Sequence, residues 1–133
     1  MNRNSEMHCG VFQKIMTLDY YFLIFLLLQV LHSVEESVMG FYKRFPLTQM
    51  RFRTFLLFEV VFIGFWFFVY LFQPSDMKEI LMHSFILLMF ANGLWHLVWF
   101  GFFEKFKKYV PGLVTAFFHV LLFLIFYFSQ VAF

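Results

Sequence analysis

A histidine and two adjacent acids close a long apolar run in "LLLQVLHSVEES", Leu26–Ser37. His32, Glu35 and Glu36 are three and four residues apart, so a helix carries them on one face, with Gln29 one turn deeper. "ANGLWH" sets Asn92 and His96 four apart, and "YVPGLVTAFFH" does the same for Thr115 and His119. Glu59 is the single acid of the apolar run Phe55–Phe72. Neutral imidazoles with carboxylates are the donor set of Zn²⁺ or iron, and di-iron bundles project Glu and His inward from several helices. His32, Glu36, His96, His119 and Glu59 are therefore the candidate ligands of a divalent metal. His32, Glu35 and Glu36 are the candidate catalytic groups. Asn92 and Thr115 are candidates for orienting a bound cofactor.

Two chemistries suit these groups. A metal would offset the cost of burying two acids side by side, and would activate water against a lipid-borne ester, amide or ether. Without a metal, one acid and one histidine can run general acid–base chemistry on an apolar substrate, such as hydrolysis or isomerisation. Neighbouring positions on a helix lie about 100° apart, so only one of the two acids can point straight at a bundle axis. Glu36, four residues from His32, is the expected inward acid, with Glu35 as second ligand or acid–base partner. No serine-centred nucleophile motif and no phosphate-binding glycine loop occurs in the sequence.

Such groups need a scaffold, and composition names its solvent. The 133 residues are 62% hydrophobic, 26% aromatic and 14% charged. A water-soluble domain is about 45–50% apolar and about 25% charged, so a chain of this size has more apolar surface than a core can hide. Four apolar runs, at about 18–34, 55–72, 80–103 and 111–133, are each long enough to cross about 30 Å of hydrocarbon. The expected fold is all-α: an integral membrane bundle of four transmembrane helices forming one domain over residues 1–133. Ser75 or Asp76 would cap the third helix, and Pro111 would sit in the first turn of the fourth. "VFQKIMTL" before the first span would lie on the membrane surface. The single Cys9 excludes an intrachain disulfide framework.

Basic residues set direction. The first connection holds Lys43, Arg44, Arg51 and Arg53, and the third holds Lys105, Lys107 and Lys108. Arg3, Lys14 and Lys78 fall on the other side. Seven against three places connections one and three in the cytosol of a multi-pass cell-membrane protein with both termini outside. These short basic loops are topology signals rather than a nucleic-acid patch. At 1.5 Å per residue, the polar residues of all four helices then fall roughly 5–12 Å below the cytosolic boundary, at one depth. His83, near the outer end of the third helix, stays apart. An ionisable residue inside a membrane faces the bundle interior and marks function by default.

"HSVEE" at His32–Glu36, "NGLWH" at Asn92–His96 and "YVPGLVT" at Tyr109–Thr115 together resemble the signature motifs of the HXXEE-domain family. The resemblance covers nearly the whole chain, in the expected order and spacing. It implies a small multi-spanning membrane protein, in most cases bacterial, and it implies no particular reaction.

Simpler roles stand beside the functional ones. The acids could be solvated at a helix end, and His96 could belong to an aromatic belt with Trp95 and Trp99. Asn92 could only join helices, Thr115 satisfy its own backbone, and Glu59 pair with Arg51 or Arg53. The leading expectation is a metal-dependent enzyme acting on a lipidic or apolar small molecule drawn from membrane lipid. A metal-free acid–base enzyme, a proton or metal-ion transporter, and an accessory subunit stay open, as does a homo-oligomer. A transporter would place polar groups through both leaflets, whereas here the outer halves offer little beyond His83, Tyr20 and Tyr21.

Overall fold

The computed structural model describes the backbone of residues 3–131, with side chains described from Leu18 onward. Helix α1 runs from Arg3 to Met39, α2 is the short turn Phe41–Arg44, α3 is Phe52–Phe72, α4 is Ser75–Val98 and α5 is Leu113–Val131. Trp99–Phe103 continues α4 as a π-helical turn. Among the described residues, four helices are long and apolar enough to cross a membrane: Leu18–Met39, Phe52–Phe72, Ser75–Phe103 and Leu113–Val131. The expected membrane-surface segment Val11–Leu18 falls almost wholly on residues outside the described side chains.

The helix ends differ from the sequence expectation for local reasons. The first span does not stop at Val34. It contains no Gly or Pro from Val11 to Met39, and it ends where Gly40 takes the left-handed conformation, φ 75° and ψ 38°, which glycine adopts without a Cβ penalty. His32, Glu35 and Glu36 are thus inside the helix rather than at its end. Helix α3 stops because Gln73 precedes Pro74 and is held extended, φ −78° and ψ 143°, as the proline ring demands of its neighbour. Pro74 itself occupies the cap position of α4, so Ser75 and Asp76 are its first helical residues and not its caps. Pro111 is also not in the first turn of α5. It forms a turn with Gly112, and the first helical hydrogen bond runs from the Ala116 N–H to the Gly112 carbonyl, 2.9 Å.

Helices α1 and α4 form a central pair, with α3 and α5 on its flanks. The tightest approach is between α4 and α5. A Cβ on Gly93 would lie 2.8 Å from the Ala116 carbonyl oxygen and 2.9 Å from Val120 Cγ2. Small residues let backbones come this close, and that packing replaces the hydrophobic driving force that lipid cannot supply.

The buried interior separates by depth. Away from the site lies an apolar half built from Leu18, Phe22, Phe25 and Leu26 of α1, Trp66 and Val69 of α3, Met82, Phe85, Ile86 and Met89 of α4, and Phe126 of α5. The other half buries Gln29, His32, Ser33, Glu36, Glu59, His96 and His119. At the apolar end Lys78 reaches Asp19 at 3.7 Å and lies 4.3 Å over the Tyr70 ring. Half-exposed surface pairs of this kind add about 0–1 kcal/mol each.

Candidate functional site

At the level of "HSVEE", helix α1 faces three neighbours at once. Its 100° step per residue sends His32 and Glu36 towards α4, Ser33 towards α3 and Glu35 towards the start of α5.

The inward pair meets His96. Glu36 Oε1 lies 3.3 Å from His32 Nε2 and 3.1 Å from His96 Nε2. The two imidazoles stand edge to face, 4.7 Å between centroids. One donor atom from each of His32, Glu36 and His96 falls within 4.8 Å of the others, and all three residues are buried. The His96 contact with Glu36 is close but not aligned with the ring N–H direction. Both His96 nitrogens therefore lack a hydrogen-bond partner among the described residues.

The tautomer of His32 follows from its partners. Thr115 Oγ1 lies 2.6 Å from Glu35 Oε2 and 2.7 Å from His32 Nδ1. Its single proton goes to the carboxylate, the stronger acceptor, so Nδ1–H of His32 donates to the hydroxyl. His32 Nε2 then carries a lone pair directed to the Asn92 amide group, 3.1 Å away, and to Glu36. A carboxylate acting through a hydroxyl to fix one imidazole nitrogen leaves the other unprotonated, as around metal-bound histidines, and here that lone pair accepts from Asn92.

Glu35 has a different occupation. Its carboxylate accepts the Tyr109 hydroxyl, the Val114 N–H at 3.3 Å, the Thr115 N–H at 3.1 Å and the Thr115 hydroxyl. Those amides are the unpaired donors at the N-terminus of α5, where a negative charge is favourable. Glu35 is thus an N-terminal anion supplied to α5 from α1. Burial first, and then the Glu35 carboxylate, push the Tyr109 phenol up to about 12, so it stays a donor. Arg44 fixes the same connection by donating to the Tyr109 carbonyl at 2.7 Å and reaching Glu104 at 3.8 Å.

Gly112 closes the site from the loop side. Its φ is +80°, and an added Cβ would lie 2.6 Å from His32 Cε1 and 3.0 Å from both Glu36 Cγ and His96 Cε1. Val110, Pro111 and Gly112 are all buried over the two imidazoles and the acid.

Not every candidate joins this group. Glu59 lies on α3, accepts the Ser33 hydroxyl and the Gln29 amide at 3.4 Å, and pairs with neither Arg51 nor Arg53 among the described residues. His119 is fully buried behind His32, 5.4 Å between ring centroids, and stacks on Phe25. Its nitrogens also lack aligned partners among the described residues. His83 is exposed beside Glu79, away from the site. Ser33, Tyr109, Arg44 and Gly112 were given no part in the site by sequence reasoning, Arg44 serving only as a topology signal. Three of them lie inside the quoted motifs, and motif membership was the only signal for them.

A family model described as "Protein of unknown function with HXXEE motif" matches residues 23–127, which include every residue of this constellation. The chain belongs to the HXXEE family. The HXXEE histidine and second glutamate are His32 and Glu36, which meet His96, and the first glutamate is Glu35, which holds α5. No curated protein and no solved structure matches the chain.

Beside the HXXEE residues lies a cavity of about 500 Å³ between α1, α3 and α4. Gln29, Glu36, Thr54, Glu59 and Asn92 supply its polar groups, and Phe41, Phe55, Phe62 and Met89 are among its apolar walls.

Proposed function

We propose that His32, Glu36 and His96 hold a divalent metal, zinc or iron, and that the protein is a membrane enzyme acting on a lipidic substrate. One observation carries the reading. A His32 lone pair, a Glu36 oxygen and an unpartnered His96 nitrogen converge in a buried space, and a cation relieves that convergence. Unsatisfied buried polar groups cost about 1–3 kcal/mol each, more when charged. Two histidines and one glutamate with a fourth position open is the ligand set of hydrolytic zinc sites. A bound metal would supply Lewis-acid polarisation of a carbonyl and an activated water. The chain's own residues do the rest. Thr115 and Glu35 hold the His32 tautomer, Asn92 occupies the Nε2 lone pair until an ion would take it, and the loop at Gly112 keeps bulk water from the donors. Glu59 faces the adjoining cavity, where it can take a proton from a hydroxyl or amine of the substrate.

The competing occupant is a proton shared between His32 and Glu36, which the 3.3 Å contact also accommodates. That arrangement would serve metal-free acid–base chemistry. Elemental analysis of protein purified in mild detergent without chelator decides between them. The metal reading expects close to one zinc or iron per chain, lost on dialysis against a strong chelator. Substoichiometric metal that does not respond to the chelator would leave the acid–base reading.

The seven basic residues of the first and third connections support placing the site in the cytosolic leaflet of the cell membrane, with both termini outside. In a Cys9→Ser background, Thr48→Cys should react with a membrane-impermeant maleimide only after cell lysis. Ser75→Cys should react in intact cells. The opposite pattern inverts the orientation.

A further inference from the structure

The three buried polar groups on the wall of the α1–α3–α4 cavity, Gln29, Glu36 and Glu59, each keep an oxygen that can only accept, while Asn92 retains one N–H and the exposed Thr54 a hydroxyl. Gln29 is buried, and its Nε2 is turned to Ser33 and Glu59, both at 3.4 Å. Its Oε1 has no partner among the described residues. The hydrogen bonds of Glu59 fall on Oε2 and the His contacts of Glu36 fall on Oε1, so each carboxylate has a second oxygen available. Of the two N–H groups of Asn92 Nδ2, one is given to His32. A head group that donates hydrogen bonds completes this wall. A carboxylate or phosphate would instead meet two carboxylates and an orphan carbonyl oxygen at low dielectric, where like charges repel most strongly.

The rest of the lining is apolar and aromatic, and the volume lies within the range of small-molecule sites. Its route to the outside runs through the membrane. Phe58 of α3 and Leu88 of α4 both line the cavity and are exposed on the bundle surface, 62% and 44% respectively. The buried loop Val110–Gly112 covers the two imidazoles from the connection side.

We infer that this cavity binds a single-chain amphiphile whose head donates hydrogen bonds and carries no negative charge, a long-chain alcohol or amine, entering sideways between α3 and α4. This names the substrate class of the proposed enzyme and rests on that reading for its catalytic meaning, though not for the binding itself. Hydrolysis of an ester or amide would leave such an alcohol or amine as one product.

Photo-crosslinking in lipid nanodiscs tests it, with a twelve-carbon primary alcohol bearing a diazirine near its tail. Labelling should concentrate on peptides carrying Phe58, Phe62, Leu88 and Met89. Excess dodecan-1-ol or dodecylamine should compete at least tenfold better than dodecanoate at pH 8. Met89→Trp, which fills the cavity, should abolish the focused labelling, and Glu59→Gln, which removes one of the two repelling charges, should reduce the preference over dodecanoate. Labelling spread evenly over the lipid-facing surfaces, or equal competition by dodecanoate, overturns the inference. Focused labelling of a wild-type protein that holds no metal would fail the metal reading alone. Full metal occupancy with diffuse labelling would fail this inference alone.

Discussion

Glu36→Gln should strip the bound metal, whereas Glu35→Gln should keep it and lose stability instead. The two acids are adjacent in sequence and chemically identical, so any difference comes from where α1 points them. Gln at 36 keeps the shape but removes the charge that faces His32 Nε2 and His96 Nε2 at 3.3 and 3.1 Å. Metal content should fall at least tenfold, as it should in His96→Ala, with the helical fold retained because four apolar spans still insert and pack. Gln at 35 can still accept the Thr115 hydroxyl through its one oxygen, which keeps the His32 tautomer, but it weakens four hydrogen bonds to a charged group and removes the anion from a helix N-terminus. The expected loss is about 1–3 kcal/mol. Elemental analysis paired with thermal unfolding in detergent reads both effects. Equal, mild losses at the two positions would sink the assignment of separate tasks.

The glycines give the second large effect, because the structure separates conformational strain from collision. Gly112 carries both: φ is +80°, and an added Cβ meets His32 at 2.6 Å. Gly40 has φ +75° with nothing within 4 Å, Gly93 has only the close approach, and Gly64 has neither. A left-handed conformation costs an L-residue roughly 1–2 kcal/mol. Gly40→Ala should therefore lower stability by about that amount. Gly64→Ala should be neutral or up to about 1 kcal/mol stabilising. Gly93→Ala should push α5 from α4 without displacing a ligand directly. Gly112→Ala should be the most damaging of the four, and should be distinguished by loss of metal as well as stability. Metal retained at the wild-type level in Gly112→Ala would show that the loop does not press on the donors.

The spans were readable because apolar runs of this length, four in so short a chain, fit a membrane far better than a water-soluble core. The meeting of His32, Glu36 and His96 was readable because helical spacing and a common depth are arithmetic on the sequence. What depended on lateral placement was not. Glu35 looked like a second ligand until the N-terminus of α5 was located beside it, and that location depends on Gly112 turning left-handed after Pro111. Reading Pro111 as the first helical residue hid that turn. Glu59 was ambiguous between an arginine and the site, and its actual partners, Ser33 and Gln29, belong to the facing helix. The size and bounds of the cavity could not be inferred, since it is a gap between helices whose separation no single segment encodes.

The division of the interior by depth also bears on leakage. A charged site inside a membrane invites water and ions to follow it. Here an intruding ion would have to continue past Leu26, Phe25, Phe22 and Leu18 on α1, eight residues and so about 12 Å of helix rise, packed against Trp66, Phe85 and Met89. That layer has the dielectric character of the lipid around it, and carrying a charge across it costs several kcal/mol at least. The apolar half thus acts as an insulator in series with the polar half. A membrane filled with this protein should keep its resistance, and its potential should stay intact whatever the polar half holds.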